Sequence, residues 1–264
     1  MAAGHTATGA EEMNDAETVG PRTLAIDIGG TGLKASVLDE SGTMVTKRVR
    51  VPTPQPCPPE TLLDFLAKLT APLPPHDRIS VGFPGVMRDG RIITAPQFPD
   101  KAWPGFPLED AISKRLGKPA RMLNDAEVQG LGIIAGQGLE VVLTLGTGVG
   151  SAVFSNGAPT AHLELAHHPI RKDDTYNDYI GIGAYRALSR KKWNKRVLRT
   201  IDIVNALLHY DVLYLGGGNA AHIDVPLPAN VHVASNDAGI TGGIRLWEEH
   251  IWNAVRGQFG KLVH

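Results

Sequence analysis

Short apolar runs broken by glycine- and proline-bearing turns alternate with stretches of helical spacing along this chain. TLAIDI (23–28), LKASVL (33–38) and TMVTKRVRV (43–51) are apolar or β-branched, and the joins GGTG and DESG are turn signals, which predicts an antiparallel meander. VPTPQPCPPE (51–60) carries five prolines and reads as an extended connector. ETLLDFLAKLTA (60–71) has helical periodicity, RISVGFPG (78–85) reads as a strand ending in a glycine loop, and PLEDAISKRLG (107–117) as a helix closed by Gly117. ARMLND (120–125) is a short strand from which a helix over 126–136 departs.

The opening pattern then returns. VVLTLGTGVGSAVFSNG (141–157) runs strand, glycine turn, strand, turn, as TLAIDIGGTGLKASVLDESG does, with Gly-Thr-Gly at 30–32 answered by Gly-Thr-Gly at 146–148. Agreement over three successive elements predicts two similar lobes facing each other. Beyond it the pattern predicts a basic helix (184–199), an apolar helix (200–209), a strand VLYLGGG (212–218) and a terminal helix near 240–258. The expected organisation is an α/β fold with mixed sheets around a central cleft. A small lobe over 21–124, joined by the terminal helix 250–264, faces a larger lobe over 125–249.

Composition narrows the classes. With 264 residues, 42% hydrophobic and 20% charged, the chain has a globular balance, and its net charge of −1 gives no global pull toward nucleic acid or membrane. Its apolar runs fall short of the roughly 20 residues of a membrane span. Residues 1–20 lack the basic and apolar regions of a secretory signal, so a disordered tail and a cytoplasmic location are expected. The single Cys57 cannot supply a multi-cysteine zinc site, so no zinc is expected and any metal should be a hard ion such as Mg²⁺.

Six stretches carry candidate chemistry. Glycine turns at Gly29, Gly30, Thr31 and Gly32, with Lys34 following, and at Thr144, Gly146, Thr147 and Gly148, can aim backbone N–H groups at phosphate, glycine permitting both unusual φ angles and close approach. Asp27 just upstream can hold Mg²⁺ through water. From the glycines alone a plain hairpin turn, with Asp27 merely capping it, reads equally well. Asn124-Asp125 lie at the mouth of a helix, where Asp125 serves as an N-cap or, ionised beside the helix N-terminus, as a base for a hydroxyl proton. Glu164 and His167, in AHLELAHHPI, suit sugar hydroxyls, though a solvated turn is the plain alternative. Gly216, Gly217 and Gly218 offer bare backbone to a nucleotide or phosphate chain, or simply a flexible turn. Arg186, Arg190, Lys191, Lys192, Lys195, Arg196 and Arg199 put seven cations within fourteen residues. That is a solvated helix face or a polyphosphate track, and no nucleic-acid motif accompanies it.

Together these stretches resemble the ROK family of sugar kinases within the actin-like ATPase (ribonuclease H-like) superfamily, most closely its polyphosphate glucokinase branch, over about residues 23–245. DIGGTGLK is similar to the first phosphate loop, GFPGV to the sugar-side loop holding Gly85, LNDA to the catalytic Asn-Asp, LTLGTGVGSAV to the second phosphate loop, and YLGGGN to the nucleotide-side loop. Thr53-Pro54-Gln55-Pro56 and Asp100-Lys101-Ala102-Trp103 point to the branch. The resemblance implies Asp125 as general base and Asn124, Glu164 and His167 as sugar ligands. It also implies Asp27 at the metal end, a hexose (glucose foremost) as acceptor, polyphosphate and/or ATP as donor, and a homodimer. Ala166 replaces the usual Gly, and His168-Pro169 stand where that branch has Leu-Glu, which removes one expected sugar carboxylate. The rival readings are a weakened sugar sensor, an actin-like ATPase without sugar chemistry, and a repressor, whose DNA-reading module has only about 20 residues in which to fit ahead of the first loop.

Overall fold

The structure is a computed structural model that describes residues 20–234 and 238–257. Residues 1–19 of the expected tail and residues 258–264 of the expected terminal helix lie outside the described residues.

The first half comprises β1 (Thr23–Ile28), β2 (Leu33–Leu38), β3 (Val49–Val51), α1 (Pro59–Thr70), β4 (Arg78–Phe83), a small hairpin of β5 (Met87–Arg88) and β6 (Arg91–Ile92), α2 (Leu108–Leu116) and β7 (Ala120–Asn124). Helix α3 (Asp125–Leu131) leads to β8 (Leu139–Leu145), β9 (Val149–Ser155) and β10 (Ala158–Pro159). Next come a hairpin of β11 (Pro169–Arg171) and β12 (Asp174–Thr175), then α4 (Tyr176–Ile180), α5 (Ile182–Ala187) and α6 (Arg190–Leu208). The chain continues through β13 (Val212–Gly216), β14 (Val231–Val233), α7 (Ala238–Thr241), a 3₁₀ stretch Gly242–Trp247 and α8 (Glu249–Gly257).

The repeat seen in the sequence is a repeat of topology. One sheet runs β3-β2-β1-β4-β7 and the other β10-β9-β8-β13-β14. In each, three antiparallel strands from a meander are extended by two parallel ones. Each sheet has its own core: Leu24, Ile26 and Leu33 with Leu62, Leu66 and Ile112 in the first, and Val141, Leu143 and Leu213 with Trp193, Val197 and Ile201 in the second. A third cluster joins them, in which Ala126, Val128 and Leu131 of α3 meet Val142, Phe154, Leu246 and Ile251. Helix α3 is therefore wedged between the two sheets, and its N-terminus opens into the space between them.

Three expectations change. Helix α3 ends at Leu131, where Gly132 donates to the carbonyls of Gln129 and Gly130 and closes the turn. The basic and apolar segments over 184–209 are not two helices meeting at residue 200. The break falls at Leu188–Ser189, where the Ser189 hydroxyl accepts from Lys192 N–H, and α6 then runs on unbroken. Its buried face, Trp193, Val197, Ile201 and Val204, keeps helical spacing across the change of composition. The terminal helix is interrupted at Gly242, where a Cβ would lie 2.0 Å from the Val128 carbonyl oxygen, an approach only glycine permits.

The last segment returns to the first sheet. Ile240 packs with Ala25 and Leu38, Trp247 Nε1–H donates to Ser80 Oγ at 2.9 Å, and Arg121 donates to the Leu246 carbonyl at 2.7 Å. The Arg121 guanidinium lies 4.3 Å from the Trp247 ring and 4.8 Å from the Trp252 ring. No helix among the described residues is long and apolar enough to cross a membrane.

Candidate active site

Between the sheets lies a cleft of about 590 Å³, in the size range of ligand sites. One wall is the β1–β2 bend, with Asp27, Gly29, Gly30, Thr31, Gly32 and Lys34; facing it is the β8–β9 bend, with Thr144, Gly146, Thr147 and Gly148. Gly85, Asn124, Asp125, Glu164, His167, Gly217 and Gly218 also line it. Gly216 does not: it ends β13 below the floor, beside Gln129.

The bends use only one of the two freedoms expected of glycine. None of Gly29, Gly30, Gly32, Gly146 and Gly148 has a positive φ; a Cβ would crowd Gln97 at Gly30, Arg50 at Gly32 and Asn177 at Gly148, whereas at Gly146 nothing lies nearer than 4.0 Å. Two glycines hold the bends' own shape, Gly29 N–H donating to Gly32 O at 3.1 Å and Gly146 N–H to Gly148 O at 2.9 Å. Neither is free to donate outward. The N–H groups of Gly30, Thr31, Thr147 and Gly148 have no acceptor among the described residues, so they are the donors the two walls can offer an anion. The Thr53-Pro54-Gln55-Pro56 stretch buttresses the first bend, Thr53 Oγ1–H donating to Gly29 O at 2.5 Å and Gln55 to Gly30 O at 3.3 Å. Asn177 and Asn219 brace the second, at Val149 N–H and Gly146 O. Trp103 is fully buried, its indole N–H on the Cys57 carbonyl.

At the head of α3 the capping residue is Asn124, not Asp125. Asn124 Oδ1 accepts from Ala126 N–H at 2.9 Å, and Glu127 Oε2 accepts from Asn124 N–H at 3.1 Å, a reciprocal capping box. The Asn124 amide also donates to Gly85 O at 3.1 Å, tying the GFPG loop to the helix. Asp125 occupies the first helical position. Its Oδ1 accepts from Ala126 N–H at 2.8 Å and Oδ2 is left open. Its carboxyl is not held ionised by the helix end: burial, then the negative charge of Asp27, push its pKa up to about 7, with Glu164 adding to the rise and the Ala126 N–H and His162 opposing it.

A charged array unforeseen in the sequence lies alongside. His162 Nδ1 meets Glu127 Oε1 at 3.1 Å and Nε2 meets Glu164 Oε2 at 3.4 Å. Burial alone would lower the imidazolium's pKa, but the hydrogen bonds and charges of the two carboxylates outweigh it and hold His162 up at about 10. A cation thus links the helix cap to Glu164. Behind it, a cavity of about 290 Å³ contains Glu109, whose carboxyl is pushed up to about 7 by burial. His167 is exposed at the cleft's edge, and His168-Pro169 lead into the β11–β12 hairpin.

The basic run of α6 stands elsewhere. None of Arg190, Lys191, Lys192, Lys195 and Arg196 lines the cleft. Arg190 pairs with Asp224 at 3.0 Å, Arg196 donates to the Tyr179 carbonyl at 3.1 Å over that residue's ring, and the three lysines face solvent.

Asp27 Oδ2 is bound by Lys34 Nζ at 2.7 Å, across the register that pairs these residues. Among the described residues no group of three or more His, Cys, Asp or Glu side chains could hold a metal by itself. A single carboxylate beside free amides matches the way Mg²⁺ binds, through one or two carboxylates together with substrate phosphates.

A duplicated mixed sheet, with an amide-bearing bend on each half and a carboxylate at the helix mouth between them, defines a phosphotransferase of the actin-like ATPase fold. The ROK family profile matches residues 23–169. The chain is 32% identical over 257 residues to the polyphosphate glucokinase of Mycobacterium tuberculosis, covering 90% of this chain and 96% of that one. The inorganic polyphosphate/ATP-glucomannokinase of Arthrobacter sp. strain KM superposes with a TM-score of 0.77 at 30% identity, over 85% of this chain and 97% of that one. A ROK family glucokinase from Streptomyces griseus, solved with glucose and AMPPNP, shares the fold at a TM-score of 0.72 and 18% identity, over 86% of this chain and 99% of that one. This chain belongs to the ROK family.

Proposed function

We propose that the protein transfers a phosphoryl group from inorganic polyphosphate and/or ATP to the 6-hydroxyl of glucose or a related hexose. The observation that carries this is the convergence on one cleft of the open Asp125 oxygen and the four free amides of the two bends. The likeness to a polyphosphate glucokinase and to a polyphosphate/ATP-glucomannokinase supports the choice of substrates.

Asp125 Oδ2 accepts the proton of the sugar hydroxyl as its oxygen bonds to phosphorus, while the bond from phosphorus to the bridging oxygen of the donor breaks and that oxygen leaves with the rest of the donor. Gly30, Thr31, Thr147 and Gly148 N–H groups hold the phosphoryl oxygens in line, so positioning and fixed dipoles do most of the work. Asp27 would hold Mg²⁺ brought in with the donor, an ion whose chemistry here is neutralisation of phosphate charge. Glu164 and His167 bind sugar hydroxyls. Glu164 is aimed by His162, which supplies an ordered carboxylate on the side of the cleft where His168-Pro169 bring none. Asn124, its amide already bonded to the Gly85 carbonyl and the helix cap, shapes the sugar-side loop as well as facing the sugar.

The test is a matrix of sugars (glucose, mannose, glucosamine, N-acetylmannosamine) against donors (ATP and polyphosphate), scored for hexose 6-phosphate. Product with glucose or a close relative and at least one donor is expected, and its loss in Asp125→Asn. No product with any pair, or hydrolysis of ATP indifferent to sugar, overturns the reading.

A further inference from the structure

The seven cations of α5 and α6, Arg186 on the first and six on the second, are the densest basic run in the sequence, yet it is another group that reaches the cleft. Lys34 of β2, Arg50 of β3 and Arg48 just before it all line the cavity. Their alignment follows from register. Asp27 pairs with Lys34 across β1–β2, and Lys34 with Arg50 across β2–β3, so these three side chains share one face of the sheet. Arg48, two residues before Arg50 and just outside β3, reaches the same cleft. Leu33 and Val51, one position on, face the core instead. The result is a row that begins at the carboxylate and runs out through three cations to the sheet's free edge.

Two features set this row apart from an ordinary solvated face. Lys34 is paired with Asp27, but Arg48 and Arg50 are exposed and have neither ion pair nor hydrogen bond among the described residues. Arg50 also leans directly over the first bend: a Cβ at Gly32 would lie 2.9 Å from its Nε. A guanidinium held over free amides, with a second one beside it leading outward, extends the anion site beyond the phosphates that the bends can hold.

We infer that Arg50 and Arg48 form an exit groove for a phosphate chain longer than a triphosphate, carrying the distal phosphates of polyphosphate over the edge of β3. This rests on the reading of the two bends as the donor site. A linear polyanion with a charge on every unit suits such a row, because each neutralised phosphate releases a counterion, as on nucleic acid. Arg is also the better residue for it, presenting a fork of donors to phosphate oxygens. ATP has no distal phosphates to place there, so the groove separates the two donors by length.

The experiment compares wild type with Arg48→Gln, Arg50→Gln and the double variant, using ATP, triphosphate and long-chain polyphosphate. KM and kcat are measured at several salt concentrations, and polyphosphate binding is titrated directly without sugar. In the double variant the KM for long-chain polyphosphate should rise about tenfold or more, its advantage over triphosphate should shrink, and the salt dependence of binding should flatten. In Arg48→Gln, which removes only the outer member of the row, the KM for ATP should change less than about threefold, because the bends and Mg²⁺ hold its phosphates. Equal losses for ATP and polyphosphate, or polyphosphate kinetics and binding within twofold of wild type, overturn the groove. So does a Lys191→Gln, Lys192→Gln, Lys195→Gln variant that loses polyphosphate while the double Arg variant keeps it. Wild type that binds long chains through Arg48 and Arg50 but transfers nothing from them sinks the donor reading and leaves the groove standing. Wild type that neither binds nor uses polyphosphate removes the groove, while hexose 6-phosphate formed from ATP would leave the bends standing as the donor site.

Discussion

Asp125 carries two opposing demands. It is the open carboxylate of the cleft, and burial together with Asp27 lifts its pKa to about 7. A base must be ionised to accept a proton, so kcat/KM should rise with pH, reach half its plateau near 7 and fall away below 6. A profile flat from pH 5 to 9 would remove Asp125 from that role. The same shift acts on the fold in the other direction. A carboxyl whose folded pKa is raised stabilises the protein fully below the unfolded value near 3.9 and loses that contribution as pH climbs through 7. Activity and stability should therefore diverge across this range. His162 shows the sign for a cation: raised to about 10, it stabilises fully below about 6.5, and the contribution is lost as pH rises through 10. His162→Ala strands two carboxylates, of which Glu127 is buried, and should cost about 3–5 kcal/mol in urea unfolding at pH 7. His162→Gln, which keeps hydrogen bonds without the charge, should recover part of the loss.

At the scale of elements, α3 matters most because its placement aims Asp125. It approaches β9 so closely at Gly130 that a Cβ there would sit 2.5 Å from the fully buried Phe154 ring. Gly130→Ala gains up to about 1 kcal/mol of helix propensity but forces overpacking worth about 1–3 kcal/mol, and the immovable ring favours the upper figure. A net loss near 1–2 kcal/mol in denaturant midpoint, with activity reduced by the shifted helix, is expected. Gly183→Ala in α5, where a Cβ meets nothing within 4 Å, should be neutral or stabilising. Elements also show what the sequence could convey. Gly-Thr-Gly and Asn-Asp were legible because each is contiguous and sits where a strand turns. His162 and Glu127 were not, since they are 35 residues apart and meet only through the tertiary fold. Arg48 and Arg50 read as ordinary strand residues, because the face Arg50 occupies depends on its pairing with Lys34 of β2 and Arg48 stands just outside the strand. The α6 cations drew attention by density alone, yet density says nothing of direction, and the helix turns them away from the cleft.

At the scale of the whole molecule, the duplicated topology explains why the bends face each other: equivalent corners of like sheets meet across one wedge. The wedge and the first sheet are held by the last segment, where Arg78, Arg121 and Arg256 alternate with Trp247 and Trp252 in stacked contacts of 4.3–5.5 Å. Trp247→Ala removes two of these stacks, each worth about 0.5–2 kcal/mol, and leaves Ser80 without its indole partner. A loss of about 2–4 kcal/mol in thermal or urea unfolding is expected, largely recovered by Trp247→Phe; a change below 0.5 kcal/mol would mean that the stacks are incidental. The return of that segment also sets an order of events during synthesis. The first sheet leaves the ribosome with one face bare, since Ala25, Leu38 and Ser80 wait for Ile240, Gly243 and Trp247 to be made. Domains commonly complete themselves from the N-terminus as they emerge. Here the first sheet must wait until the whole second sheet and the segment after it have been made, so a nascent chain stalled before residue 238 would expose sticky apolar surface and need a chaperone to shield it.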